Sequence, residues 1–572
     1  MKNLLKIASA TPNIKVGNIE YNTEVVINHI ISSANKDVDI LVFADCCLTG
    51  ARLGSEFYSR QIIEETKENI EKIRLATKDL NILVAISVAL PRNNIIEKFV
   101  YYFYNNEIVH ISSAKNIEFG YDDSFIIDGY RVKTATDMLT YKNLGNILTN
   151  IYDVDILIHI SSKDIDINTK EDVNIAKSIA RAENCLYIYS SSAYGDTTTD
   201  SYLSNDKFII LSDISSTTSE SFDDEEIIYD IANMSLLNKD FSDDSGLMFN
   251  QDISHSGEYS ISNRPYMKFN NYNDIINIQS RALANRMKAI NCKKLILGVS
   301  GGLDSTMALI VCKETMDYLG LPSENIIAVS MPGFGTSSRT KNNSNTLMNK
   351  IGATIKTCNI VEVVKKHLEL IGHDMNNADV AFENAQARER TQILLDMANM
   401  EGAIVVGTGD LSEIALGFAT YNGDHMSNYS VNASVPKSLM REVVKYYADI
   451  NIELKEVLYD IIDTPVSPEL LPNKEDTAVQ KTEEIVGPYD LQDFFIYYYL
   501  KHNLSKSELI MLSKSAFKNI YDENTIKKWL DTFFRRFYKN QFKRNCSVDG
   551  PKVTEISMST RTGYQFPSDM QR

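Results

Sequence analysis

Residues 295–306 read LILGVSGGLDST. The apolar run from Leu295 to Val299 predicts a strand, Ser300-Gly301-Gly302 a tight turn, and the residues from Leu303 onward a helix. A strand that feeds a glycine turn and then a helix offers an anion free backbone N–H groups and the positive end of a helix dipole. Gly301 and Gly302 let the backbone come close to an oxyanion, and Ser300 and Ser305 add hydroxyl donors. The turn has neither the G-K-[ST] ending of a Walker A loop nor the G-x-G-x-x-G dinucleotide pattern. Asp304 is itself an anion inside a phosphate cradle. It makes chemical sense when Mg2+ lies between its carboxylate and the phosphates.

The surrounding chain sets the bounds. Its 572 residues are 44% hydrophobic and 23% charged, an ordinary globular composition. That length is enough for roughly two large domains, or three or four of average size. The formal net charge of −18 argues against nucleic acid or an anionic membrane as the main partner, while leaving room for a local basic pocket that takes a small anion. Seven cysteines are scattered with no C-x-x-C pair, so neither a zinc site nor a disulfide framework is indicated. The opening MKNLLKIASATP reads as a strand rather than a secretory leader. No apolar run reaches the ~18 residues of a membrane span, so the expected location is the cytoplasm.

Two α/β halves flank a polar segment. In residues 1–212, strand-like runs at 39–48, 81–90, 98–113, 154–162 and 184–195 alternate with stretches of helical periodicity such as 60–79. Residues 213–262 are acidic and Ser-rich and read as a linker with short elements. Residues 263–572 hold a second α/β pattern, with strands at 295–299, 326–331 and 404–406, and a helical end carrying the basic stretch RRFYKNQFKR. The basic pair Lys543-Arg544 suits an anion clamp, and Asp410 and Ser412 read as residues that shape a turn.

SGGLDS after an apolar strand resembles the pyrophosphate loop of the N-type ATP pyrophosphatases. These enzymes cleave ATP to AMP and pyrophosphate and adenylate an oxygen so that a nucleophile can displace AMP. The segments VSMPGFGTSSRT (329–340), FENAQARERT (382–391), VVGTGDLSEIALGFATYNGDHMSNYSVNASVPK (405–437), DTPVSPELLPN (463–473), EIVGPYDLQ (484–492) and NQFKRNCSVDGPK (540–552) follow in one order. Together they are similar to the NAD synthetases of the long, glutamine-dependent bacterial type.

The resemblance implies ATP-dependent amidation of deamido-NAD through an adenylated intermediate, with Mg2+. It assigns ATP to Gly298, Val299, Ser300, Gly301, Gly302, Leu303, Asp304 and Ser305, with Thr408, Lys437 and Thr464 as further contacts. It assigns Mg2+ to Asp304 and Glu413, and deamido-NAD to Asn384, Arg388, Glu413, Phe418, Ala419, Thr420, Tyr421, Asp424 and Lys543. Asp304, Glu413 and Lys543 form the implied catalytic set. The transition state at phosphorus gathers negative charge, so metal and preorganised donors suit it. The implied architecture is a nitrilase-like α-β-β-α sandwich followed by a Rossmann-like parallel sheet of the ATP pyrophosphatase class. The implied assembly is a homo-oligomer, an octamer in that family.

The first half resembles the nitrilase, or carbon-nitrogen hydrolase, domain that serves these enzymes as a glutaminase. FADCCLTG (43–50) is similar to that family's F-P-E-x-x-L-T-G strand end, and SSAKNIEF (112–119) falls where it has its lysine. Such a glutaminase needs a cysteine thiolate, a glutamate base and a lysine. Here Asp45 takes the base position, one methylene short, and Lys115 the lysine position. An ungapped count back from His159-Ile160-Ser161 puts Thr136, in VKTATDM (132–138), at the nucleophile. No cysteine occurs from 48 to 184. A threonine hydroxyl is a far weaker nucleophile, so the expectation is a degenerate glutaminase and free ammonia as nitrogen donor. The competing readings are a fully glutamine-dependent NAD synthetase with an ammonia tunnel, amidation of a nucleotide base as in GMP synthetase, and a non-catalytic dinucleotide-binding regulator.

Overall fold

The computed structural model describes residues 4–113, 123–136, 154–164, 169–197, 200, 202–212, 214–219, 226–237, 262–268, 271–335, 338–375, 377–464, 482–561 and 563–570. Lys115, the position after Thr136, and most of the DTPVSPELLPN segment lie outside them. The chain divides into two compact units. The first is residues 1–198 with 202–253, and the second is 254–572 together with 199–201. No helix among the described residues is long and apolar enough to cross a membrane.

The first unit is built on two six-stranded sheets. In chain order the strands are β1 (Leu4–Ala10), β2 (Ile40–Phe43), β3 (Leu83–Arg92), β4 (Ile95–Tyr104), β5 (Glu107–Ser113), β6 (Phe125–Ile127), β7 (Tyr130–Ala135), β8 (Ile156–Ile160), β9 (Leu186–Ser190), β10 (Lys207–Leu211), β11 (Ser215–Ser219) and β12 (Ile227–Asn233). One sheet has the order β12-β1-β2-β3-β4-β5, the other β11-β10-β9-β8-β7-β6. Period-two alternation sorts their side chains into three layers. Ile7, Val42 and Ala85 from the first sheet meet Ile158, Ile188 and Ile209 from the second in a shared core. Ala8, Leu41, Phe43 and Val84 face the other way, onto Val26, Ile30, Ile70 and Ile73 of the helices Ile19–Ala34 and Arg60–Ala76. On the far side Leu157, Tyr187 and Ile210 pack on Ile175 and Ile179 of the helix Thr169–Ala182. The result is the α-β-β-α sandwich.

The structure departs from the sequence reading in two places here. The run 98–113 is not one strand. Asn105 and Asn106 take positive φ (43° and 67°), so β4 folds back on β5 as a hairpin. The stretch read as a linker from 213 contains β11 and β12. Both are sheet members, and β12 pairs antiparallel with β1 along its whole length. Polar, Ser-rich composition disguised β11 because it is an edge strand, with alternate side chains turned outward.

The second unit has a five-stranded sheet. Its strands are β13 (Lys294–Gly298), β14 (Ile326–Ser330), β15 (Thr354–Thr357), β16 (Ala403–Gly407) and β17 (Tyr429–Ser430), all parallel, in the order β15-β14-β13-β16-β17. Ile296, Ile327, Val329 and Val405 pack on Val364, Leu368, Phe382 and Ala398 of the helices Val361–Leu370 and Val380–Glu401. The helices Tyr272–Ala289, Leu303–Leu319 and Lys437–Ile450 pack on one another. Strand order reverses between β13 and β16, and the loops leaving their carboxyl ends diverge there. Open α/β sheets hold ligands at such a point.

Candidate active site at the carboxyl edge of the parallel sheet

Two loops meet at this edge. The first, 299–302, leaves β13 and enters the helix Leu303–Leu319. Gly301 has φ +91°, and a Cβ there would lie 2.3 Å from the Thr340 carbonyl oxygen, so only glycine fits. Ser300 Oγ accepts the Gly302 N–H at 3.2 Å and lies 3.2 Å from Ser305 Oγ. The hydroxyls of Ser305 and Thr306 donate to Gly302 O. The second loop, 408–410, leaves β16 and enters the short helix Leu411–Leu416, which Asp410 caps by accepting the Glu413 N–H at 2.7 Å. Asn432 ties the loops together, its Nδ2 donating to Asp304 O at 3.1 Å and to Thr408 O at 3.0 Å.

Three carboxylates converge here. Asp304, Asp410 and Glu413 each offer an oxygen within 4.8 Å of the others. Lys437, at the start of the helix Lys437–Ile450, reaches all three: 2.6 Å to Asp304, 2.8 Å to Asp410 and 2.9 Å to Glu413. Its side chain is only 4% exposed. Burial opposes the ammonium charge, but the three carboxylates outweigh it and hold the Lys437 pKa well above the usual lysine value. Desolvation pushes Glu413 up to about 7, with Lys437 pulling down and Asp304 pushing further up. Burial drives Asp410 the same way. Three carboxylates facing one ammonium are short of positive charge. Their donors are hard oxygens of the kind Mg2+ takes. The side chains therefore fit a divalent cation.

Beside this cluster the chain from 417 to 425 winds into a compact wall. Phe418 N donates to Glu413 O, and Thr420 N donates to Asp424 Oδ1 at 2.7 Å. Thr420 Oγ1 donates to Asn384 Oδ1, and Arg388 Nε to Tyr421 O at 3.1 Å. Lys543 Nζ donates to Gly417 O and Ala419 O at 2.9 and 2.6 Å. Thr408, Glu413, Ala419, Asp424, His425 and Lys543 line one cavity of about 90 Å3. A glycine loop beside a carboxylate cluster and a lined cavity can hold a polyphosphate, its counter-ion and a second substrate next to one another.

Residues 275–545 match the family model for NAD synthase. Over that stretch the chain is similar to the NAD synthase family. Among curated relatives, the glutamine-dependent NAD(+) synthetase of Mycobacterium leprae is 38% identical over 320 residues, which cover 51% of this chain and 47% of that protein. That of Acinetobacter baylyi is 26% identical over 324 residues, covering 55% and 56%. The chain thus spans about half the length of the curated relatives it matches. Among solved structures, the glutamine-dependent NAD(+) synthetase of Cytophaga hutchinsonii shares the fold, with TM-score 0.77 and 16% identity over 99% of this chain and 97% of that one. The enzyme of Acinetobacter baumannii, solved with ADP, has TM-score 0.65 and 17% identity over 99% and 98%. The fold likeness takes in the α-β-β-α sandwich as well as the unit with the five-stranded parallel sheet.

Within the NAD synthase region the structure brings together the glycine loop, Asp304, Thr408, Glu413, Lys437 and the 417–424 wall with Asn384, Arg388 and Lys543. Thr464 lies just past the helix Ile452–Ile462, and its hydroxyl donates to Asp460 O at 2.8 Å. Arg544 is not half of an anion clamp. It is 2% exposed and gives its guanidinium to Gln541 Oε1 and to the carbonyls of Ile414, Ala415 and Phe537. It docks the 541–544 turn on the carboxyl end of the helix Leu411–Leu416. Asp410 does more than shape a turn, since it is the third carboxylate on Lys437. Sequence reasoning missed that role, together with Asn432 and His425. The signal was present for Asp410: an N-cap three residues before Glu413 puts both carboxylates on one helix start.

In the first unit Asp45 lies at the end of β2, fully buried. Lys98 of β4 bonds to its Oδ2, the Ser162 N–H donates to the same oxygen at 3.0 Å, and Ser87 Oγ donates to Oδ1 at 2.8 Å. Burial alone would raise the carboxyl. The Lys98 charge and the hydrogen bonds of Lys98, Ser87 and Ser162 outweigh it and hold the group below the usual carboxylate value. The sequence reading paired Asp45 with Lys115, which lies outside the described residues. Among the described residues its partner is Lys98, hidden because the run 98–113 concealed a hairpin. Thr136 follows β7 and is 7% exposed. Cys46 and Cys47 are fully buried, and burial together with the Asp45 charge pushes both thiols up. Neither carries thiolate at neutral pH.

Proposed function

We propose that the chain is an NAD+ synthetase, a ligase that amidates the nicotinate carboxylate of deamido-NAD at the expense of ATP, with free ammonia as nitrogen donor. The observation that carries this is the convergence of Asp304, Asp410, Glu413 and Lys437 beside the Gly301 turn. A plain dinucleotide-binding module has no use for a carboxylate cluster next to a phosphate cradle.

In this reading the hydroxyls of Ser300 and Ser305 and the N–H groups of 302–305 hold the triphosphate. Asp304, Glu413 and Asp410 hold Mg2+, which when bound neutralises charge on the phosphates. Lys437 and Thr408 complete the nucleotide contacts. Asn384, Arg388, Phe418, Ala419, Thr420, Tyr421, Asp424 and Lys543 hold deamido-NAD against the α-phosphate. The substrate carboxylate attacks the α-phosphorus and pyrophosphate leaves. Ammonia then attacks the adenylated carbonyl carbon and AMP leaves. The chain's own part is to orient the two substrates and to stabilise charge gathering on phosphate.

Ammonia is preferred to glutamine because Asp45 is already committed to Lys98, Ser87 and Ser162, and the thiols beside it are neutral and enclosed. Assembly as a homo-oligomer follows from the same reading. The test is to supply the purified chain with ATP, Mg2+ and deamido-NAD, plus ammonium or glutamine, and to follow NAD+, AMP and pyrophosphate by mass. The expected result is equal release of all three with ammonium, no NAD+ with ammonia-free glutamine, and a loss of about 100-fold or more in Asp304→Asn. Turnover with glutamine matching that with ammonium establishes the glutamine-dependent alternative, and ATP left intact refutes the ligase.

A further inference from the structure

His425 stands in the wall of the 90 Å3 cavity. Its Nδ1 lies 3.0 Å from Thr420 O, and a carbonyl can only accept, so Nδ1 carries the proton. The neutral ring then has a bare lone pair on Nε2. That atom is buried and has no hydrogen-bond partner among the described residues. The ring is held on its other face by Tyr421, with centroids 5.7 Å apart. A buried acceptor left open in a site otherwise rich in bonded groups calls for a donor that arrives from outside. The neighbours say what kind. Asp424, adjacent in the chain, and Glu413, from the helix Leu411–Leu416, put carboxylates on the same cavity. Asp200 borders the cavity as well. Of the cations that line it, Lys543 is committed to two carbonyls and Arg544 to Gln541 and three carbonyls, and nearby Arg388 donates to Tyr421 O. The same wall borders the deamido-NAD position of the proposed reading, which places any small co-substrate bound here next to the reacting carboxylate. A small cation with N–H donors fits that charge.

We infer that His425 Nε2 receives ammonium in this cavity and takes one of its protons, delivering ammonia to the amidation step. The inference rests on the ligase reading above and deepens it. An N–H bond of ammonium breaks, its electron pair stays on nitrogen, and the proton passes to Nε2 to give imidazolium and ammonia. The ammonia lone pair attacks the adenylated carboxyl carbon. The bond from that carbon to the AMP oxygen breaks, AMP leaves with the bonding pair, and the new amide nitrogen sheds its surplus proton to solvent. Burial favours the neutral ring and pulls His425 below the usual histidine value, with Lys543 acting the same way and the Thr420 carbonyl and Asp424 opposing. The ring is therefore neutral, its Nε2 lone pair free to accept a hydrogen bond from ammonium.

Two readouts test this on the full chain. In protein labelled with 15N-histidine and assigned by His425→Gln, ammonium chloride is expected to move the His425 Nε2 resonance while sodium chloride at equal ionic strength does not. In steady-state amidation, His425→Ala and His425→Gln are expected to raise KM for ammonium about tenfold or more at neutral pH, with KM for ATP unchanged. The deficit should shrink as pH rises, because free ammonia needs no acceptor. An unmoved resonance, or an ammonium KM and pH profile that match wild type in both variants, overturns the inference. The resonance needs no turnover. A shift in protein that makes no NAD+ sinks the ligase and leaves the ammonium position standing, and NAD+ formation without a shift does the reverse.

Discussion

Lys437 Nζ lies 2.6 Å from Asp304 Oδ1, across the junction of two loops that leave adjacent strands, and also reaches Asp410 and Glu413. Removing the ammonium leaves buried negative charge without a partner, which costs roughly 3–5 kcal/mol at such sites. Lys437→Met is therefore expected to lower the melting temperature in chelator. Mg2+ should restore more of the loss in the variant than it adds to wild type, because the cation then balances the carboxylates alone. Scanning fluorimetry with and without MgCl2 measures this, and equal Mg2+ shifts in the two proteins contradict it.

Gly301→Ala tests the phosphate turn. A methyl group at that position meets the Thr340 carbonyl at 2.3 Å and forces an L residue to φ +91°. The strain is about 1–3 kcal/mol, and the turn relieves it by opening. ATP affinity by calorimetry should fall by at least about tenfold while far-ultraviolet dichroism is unchanged. Wild-type affinity in the variant removes the turn from the site.

The Lys98–Asp45 pair should behave as one unit. Lys98→Met strands a buried carboxylate and is expected to destabilise the first unit by roughly 3 kcal/mol. Asp45→Asn combined with Lys98→Met should cost clearly less than the two single changes added together. The pair also fixes an acid limb. Because the Asp45 carboxyl is held below 3.8, its stabilisation is complete above that pH and is lost as pH falls through the folded value. Chemical denaturation of the four proteins gives the coupling, and strict additivity disproves it.

Asp196 supplies a slope of opposite sign. Burial lifts this carboxyl to about 7, against a usual value of 3.8, with the Ala51 N–H and the charges of Arg52 and Lys98 opposing and Asp45 adding to the rise. Between those two values the folded chain binds a proton that the unfolded chain releases. Stability therefore falls as pH rises through that window and levels off above it. Asp196→Asn can still accept the Ala51 N–H, seen at 2.7 Å. Its stability should be flatter over the same range, and an unchanged pH slope rules Asp196 out as the cause.

Elements with strong local signals were legible in the chain. The strand Lys294–Gly298, the turn at Gly301 and the helix from Leu303 all follow from apolar run, glycine pair and helical periodicity. The 417–424 wall came from motif likeness, not from spacing. Lys98 was illegible because the Asn105-Asn106 turn was not separated from the strands it joins. β12 was illegible because its pairing with β1 spans more than two hundred residues, and no local pattern announces such a partner. Arg544 shows the limit of reading charge from sequence. Two adjacent cations look alike and both border the cavity, yet Arg544 is buried and gives its guanidinium to backbone carbonyls.

The Asn432 side chain donates one hydrogen bond to the first turn of the helix Leu303–Leu319 and one to the loop 408–410. An Asp in its place keeps the shape and loses both donors. The amide thus joins Lys437 in fixing the spacing of the two carboxylate-bearing segments before any substrate enters. Grafting either segment alone into another member of this fold would bring the chemistry without its ruler.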